Sequence, residues 1–236
     1  MSGMLLRLLY PDRCLFCGDA SEQGPCCKAC ERSLPFIDGA LCIYCGRKTR
    51  DCRCGGSSGK PYEWIVAPFY YEKGVREAVR RFKFGGKQKA AQYFAPLMAQ
   101  QLRYAFPVPP FDLITCVPMN KRKEAARGYN QADLLGRELA KELEVQYQPE
   151  LLRRLGLLTQ HDLRAVFRRR NAELSFAIAQ PEHVKGRSIL VVDDIFTTGS
   201  TMSACCSRLL ENGARSAFGA VIARTPSGKT SPGGAV

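Results

Sequence analysis

Ser188 to Thr201 reads SILVVDDIFTTGST, an apolar run that meets two adjacent carboxylates, Asp193 and Asp194, and then a turn rich in hydroxyls with one glycine. An apolar run of that kind is a strand buried on both faces. The following stretch, STMSACCSRLLENGA, has helical spacing and stops at Asn212-Gly213 in the manner of a helix C-terminus. Strand, tight turn and helix in that order belong to a parallel α/β sheet, whose ligands collect at the carboxyl ends of the strands. Backbone N–H groups of Thr197, Thr198, Gly199, Ser200 and Thr201, with the positive end of the helix, suit a phosphate. Gly199 lets the backbone approach closely. Two carboxylates repel phosphate but accept hydrogen bonds from a sugar's vicinal hydroxyls. An acidic helix cap explains Asp-Asp alone, but not the glycine-hydroxyl turn at that offset. The ligand described is a ribose 5-phosphate.

The neighbouring sequence alternates in the same way. EWIVAPFYY (Glu63–Tyr71), FDLITCVP and SAFGAVIART read as strands, and GVREAVRRFKF, QKAAQYFAPLMAQQLRYAF and YNQADLLGRELAKELEV as helices. The expectation is an α/β domain over residues 59–226 with a mostly parallel sheet. A Gly/Ser-rich joint, CGGSSGKP, separates it from residues 1–58, and residues 227–236 form a flexible tail.

Nine of the 12 cysteines fall between Cys14 and Cys54. MSGMLLRLLYPDRC lacks a signal-peptide pattern, and no apolar run reaches the roughly 20 residues of a membrane span. The expected location is the cytoplasm, where thiols stay reduced and crowded cysteines point to metal rather than disulfides. The pairs Cys14/Cys17, Cys27/Cys30, Cys42/Cys45 and Cys52/Cys54 suit two structural Zn²⁺ sites, each made of two knuckles. Sequential use of the pairs is the simplest assignment, and an interleaved one uses the same eight thiolates. Cys26 is spare, and Cys116, Cys205 and Cys206 are expected to be non-ligands. Four thiolates leave no open position for catalytic water. The formal net charge of +13 favours anionic partners, although thiolates on zinc reduce the basicity of this end.

ILVVDDIFTTGST resembles the signature of the type I phosphoribosyltransferases, which bind 5-phosphoribosyl 1-pyrophosphate (PRPP). With VPMNKRKEAARGYNQA (Val117–Ala132), TQHDLRAVFRRRNAELSF (Thr159–Phe176) and the knuckles in front, the chain resembles the ComF/GntX family of competence-associated proteins from about Leu8 to Thr225. It departs from that pattern at Tyr129, where Phe is expected, at the Cys52-x-Cys54 knuckle, and at Lys121 and Asn120, which replace a more usual Pro and His. The resemblance implies a type I phosphoribosyltransferase-like parallel sheet behind an N-terminal zinc-ribbon domain. It implies a catalytic pair, Asp193 and Asp194, holding ribose and Mg²⁺, with the Thr197–Thr201 turn on the 5′-phosphate. A basic loop with Lys121, Arg122, Lys123 and Arg127 would face pyrophosphate. Arg153 to Asn171 carries six arginines, Arg153, Arg154, Arg164, Arg168, Arg169 and Arg170, where these enzymes keep a hood. Gln160, Arg168, Arg169, Arg170 and Asn171 would serve either as that hood or as a grip on DNA.

Two functions compete. A transferase would pass phosphoribosyl from PRPP to an acceptor by electrostatic preorganisation, with no protein nucleophile. Consistent with this, His161 and His183 are the only histidines, and no nucleophile–base set is evident. A binding module would use PRPP as a signal while holding single-stranded DNA by phosphate contacts and by stacking on Tyr129, Phe167 and Phe176. The family resemblance implies a role in natural transformation or in the use of external DNA, alongside other uptake or recombination proteins. A zinc-ribbon transcription factor fits less well, because no recognition helix stands out. The favoured expectation is a PRPP-binding, DNA-handling protein whose transferase activity is left open.

Overall fold

The computed structural model describes residues 12–56, 59–86, 88–155 and 176–226. The pairs Cys14/Cys17 and Cys42/Cys45 fold alike. An antiparallel bridge joins Arg13 to Ala20 in the first and Leu41 to Lys48 in the second. Gly18 and Gly46 close these knuckles at φ +90° and +65°, a region side chains avoid. A Cβ on Gly46 would also lie 2.4 Å from the Ile65 carbonyl. A short helix, α1 (Lys28–Glu31), follows Cys27, the first cysteine of the second pair.

The remaining elements are β1 (Ile65–Val66), β2 (Phe69–Tyr70), α2 (Lys73–Phe84), α3 (Ala90–Ala105), β3 (Leu113–Cys116), α4 (Lys121–Arg127) and α5 (Gln131–Leu143). They continue with β4 (Gln146–Tyr147), β5 (Leu152–Arg154), β6 (Phe176–Ile178), β7 (Ser188–Phe196), α6 (Ser200–Glu211) and β8 (Ser216–Arg224). The main sheet is parallel in the order β1-β8-β7-β3-β4, with β2 also on β8. Glu63–Tyr71, expected as one strand, pairs in two pieces. Ile65 lies opposite Gly219 and Phe69 opposite Ala223, and between the pieces Pro68 has no N–H to give a ladder.

Alternation along the strands supplies two cores. Leu190, Val192, Phe218, Ala220 and Ile222 face α2, α3 and α5 through Phe82, Phe94, Met98, Leu135 and Leu139. Ile189, Val191, Ala217 and Val221 face α6 through Met202, Cys205, Cys206 and Leu209. The ribbons pack on the first core: Phe16 meets Phe69, Tyr93 and Phe94 edge-on. Arg81 of α2 donates to the carbonyls of Leu15 and Phe16 at 2.7 Å and of Cys17 at 3.2 Å. The second ribbon reaches the sheet edge, where Tyr70 donates to Asp51 at 2.8 Å and the Ile37 N–H donates to the Pro68 carbonyl at 2.8 Å. No helix among the described residues is long and apolar enough to cross a membrane.

Two expectations change. The basic stretch after β3, read as a loop, contains the helix α4. Asn120 caps it through the Arg122 N–H at 2.9 Å, and Gly128 ends it at φ +85°. None of its residues is buried, so it carries no apolar stripe by which spacing could reveal it. The small antiparallel pair β5-β6, in which Arg154 lies opposite Phe176, was also not expected.

Candidate functional site

The acid pair lies just inside the carboxyl end of β7 rather than beyond it. Asp193 still pairs with Val221, and the ladder continues through Ile195 and Phe196. Neighbouring positions on a strand point to opposite faces, so the two carboxylates diverge. The Asp194 N–H donates to Asp193 Oδ1 at 2.8 Å. Asp194 pairs with Lys83 Nζ of α2 at 2.9 Å, with the two side chains only 14% and 23% exposed. Asp193 is half-buried. Burial first, and then the neighbouring Asp194 carboxylate, push its pKa up to about 7, against the opposing pull of the Asp194 N–H, Lys83 and Arg154.

After β7 the chain turns through Thr197–Gly199 into α6. Gly199 sits at φ +83°, and a Cβ there would fall 2.5 Å from the Phe196 ring. Thr198 and Ser200 hydroxyls are 2.9 Å apart. Asp193, Ile195, Phe196 and residues 197–202 line a pocket of about 30 Å³. It has room for one small group and is ringed by hydroxyls and the first N–H groups of α6. The expected phosphate residues Thr197, Thr198, Gly199, Ser200 and Thr201 are thus together, with Asp193 on the same pocket.

The expected basic set is divided by α4. Lys121 faces a cavity of about 480 Å³ beyond the end of β3, with Met119, Glu124, Asn130, Asp133, Arg137, Arg153 and Arg154 among its lining. Lys123 and Arg127 face a different cavity of about 430 Å³, shared with Lys83. Arg122 is exposed. The Arg127–Gln131 block is a built corner. Arg127 donates to Gln131, Tyr129 donates to the Phe82 carbonyl, and Asn130 caps α5 while donating to the Val117 carbonyl at 3.0 Å.

The stacking expectation fails at two of its three rings. Tyr129 is 8% exposed and Phe176 3%, both in the core, and Arg154 covers Phe176 at 5.3 Å. Phe167, Gln160, Arg168, Arg169, Arg170 and Asn171 lie outside the described residues. Spacing gave no signal for Lys83, because its partner is 111 positions away in the sequence. Arg154, one of the arginines in the basic run, was not singled out for the acid pair.

The cysteines form two sets, Cys14/Cys17/Cys27/Cys30 and Cys42/Cys45/Cys52/Cys54, whose sulfurs within each set lie within 4.8 Å of one another. Separations of 3.9 Å for Cys17–Cys27, 3.7 Å for Cys42–Cys54 and 3.6 Å for Cys45–Cys52 match the about 3.8 Å edge of a tetrahedron with zinc–sulfur bonds near 2.3 Å. Both sets fit structural Zn²⁺, in sequential rather than interleaved ligation. Cys26 Sγ instead donates to its neighbour's carbonyl, and Cys116, Cys205 and Cys206 are buried apart from both sets.

Residues 5–59 match the double zinc ribbon domain and residues 135–233 the phosphoribosyl transferase domain. The DNA utilization protein YhgH of Escherichia coli K12 is 32% identical over 88% of this chain and 94% of its own length. Competence protein F of Haemophilus influenzae is 28% identical over 81% of this chain and 87% of its own. Competence protein ComFC of Bacillus subtilis is 26% identical over 79% and 78%. A parallel sheet of the type I phosphoribosyltransferase kind, fronted by two four-cysteine ribbons and matched over most of its length by relatives of this sort, is the organisation of the ComF family, and this chain belongs to it.

Proposed function

We propose that the chain binds PRPP with Mg²⁺ at the carboxyl end of β7 and handles single-stranded DNA in the cytoplasm, in natural transformation or DNA utilisation. The observation that carries this reading is Asp193, followed on the strand by Asp194, lining a pocket of about 30 Å³ together with residues 195–202. In this reading the 5′-phosphate takes that pocket, and Asp193 and Asp194 take the ribose hydroxyls and Mg²⁺. Bound Mg²⁺ would neutralise pyrophosphate charge. Lys121, Arg153 and Arg154 line the neighbouring cavity and supply cations for the pyrophosphate. The phosphoribosyl transferase match supports the PRPP part. The DNA part draws on the relatives' names, the formal charge of +13 and the arginines of residues 153–170, with DNA-uptake or recombination proteins as further partners.

Calorimetric titration of PRPP with Mg²⁺ tests the site. Asp193→Ala with Asp194→Ala is expected to abolish binding without unfolding the domain, and unchanged affinity would remove the assignment. Phosphoribosyl transfer is the second reading, and the cavity of about 480 Å³ favours it as room for an acceptor. Pyrophosphate release from PRPP with one member of a panel of bases would establish it. Tight single-strand binding with release from none would leave the module.

A further inference from the structure

Phe84 ends α2 with 71% of its surface exposed, in a chain whose other aromatic rings from α2 and α3 mostly fill the core. One face of its ring is taken by Arg127, whose guanidinium carbon lies 4.8 Å from the centroid. Lys83, Gly86, Lys123 and Tyr129 complete the walls of a cavity of about 430 Å³ around them. The lining holds three cations and no carboxylate. Tyr129 closes the back, with its hydroxyl already committed to the Phe82 carbonyl. The groove lies on the other side of α4 from Lys121, so Lys123 and Arg127 do not share the cavity that carries Arg153 and Arg154.

We infer that this groove is a contact site for single-stranded nucleic acid, in which a base stacks on the free face of Phe84 and adjoining phosphates meet Lys123 and Arg127. The inference rests on the DNA handling proposed above and gives it an address other than Arg168–Arg170. Every base offers a π-face to an aromatic ring, and a cationic groove follows the backbone without reading sequence. An apolar partner would strip water from Lys123 and Arg127 and return no counter-charge, since only Lys83 has a carboxylate partner, Asp194. A free phosphate would make no use of the ring.

The test is anisotropy of a fluorescein-labelled oligo-dT of about 15 nucleotides on the full zinc-loaded chain, at several salt concentrations. Phe84→Ala is expected to weaken binding about ten-fold, with zinc content and PRPP affinity unchanged. Phe84→Trp should keep wild-type affinity, as stacking requires. Lys123→Ala should lower the slope of log affinity against log salt by about 0.7. Wild-type affinity in Phe84→Ala would overturn the groove, and so would a loss that Phe84→Trp shares. An unmodified chain that fails to bind oligo-dT at all would instead overturn the DNA reading itself.

Discussion

Asp193 is costly where it stands. Its carboxyl group, half-buried beside a second carboxylate, holds its proton up to about pH 7, whereas an unfolded chain would release it near the ordinary carboxylate value. Between those two values the native state binds the extra proton, so stability falls as pH rises through that window. Asp193→Asn is therefore expected to melt higher than the parent at pH 8, by about 1–2 kcal/mol or a few degrees, and to match it near pH 4. Thermal melts at the two pH values check this, and equal melting at pH 8 would show that the carboxylate is better compensated than its surroundings suggest. Ligands that need the charged pair should bind more tightly above pH 7 than below it. Gly199 makes the complementary case. Gly199→Ala puts a Cβ both at φ +83° and against the Phe196 ring, and about 1–3 kcal/mol of strain should appear as lower stability and weaker phosphate binding.

At the scale of elements, α2 is the piece that joins ribbon to sheet. Arg81 satisfies three carbonyls of the first knuckle, and hydrogen bonds from a charged donor count for more than neutral ones. Arg81→Ala should cost about 2–3 kcal/mol and speed zinc loss to a chelator from the first site before the second. Elemental analysis should find two Zn²⁺ per chain, about one after Cys17→Ser, and two after Cys26→Ala. The cysteine pairs were legible in the sequence because a thiolate's chemistry travels with its spacing. The strand-acid-turn of residues 188–201 was legible because apolar continuity and a glycine-hydroxyl turn are local signals. Helix α4 was not, since a helix exposed all round leaves no stripe, although Asn120 and Gly128 marked its ends. The burial of Tyr129 and Phe176 was hidden for another reason. An aromatic residue beside arginines reads as a surface ring, and only the packing of α2 and β5 shows it to be core.

Across the whole molecule, Lys83 is the side chain that touches both the acid pair and the Phe84 groove. Its ammonium lies 2.9 Å from Asp194, while its side chain lines the Phe84 groove. One ammonium serves one anion well. Drawing Asp194 toward a divalent cation and a sugar leaves Lys83 free to turn toward a nucleic-acid phosphate, and thermodynamic reciprocity then requires each ligand to strengthen the other by the same factor. Saturating PRPP with Mg²⁺ is expected to tighten oligo-dT binding about five-fold, with an equal gain for PRPP when the oligonucleotide is present. Lys83→Met should bring both factors to one, and equal affinities with and without the second ligand in the unmodified chain would remove Lys83 from this role. With both proposed ligands bound in this way, the chain would serve as a coincidence detector, holding a strand most firmly when activated ribose is also to spare.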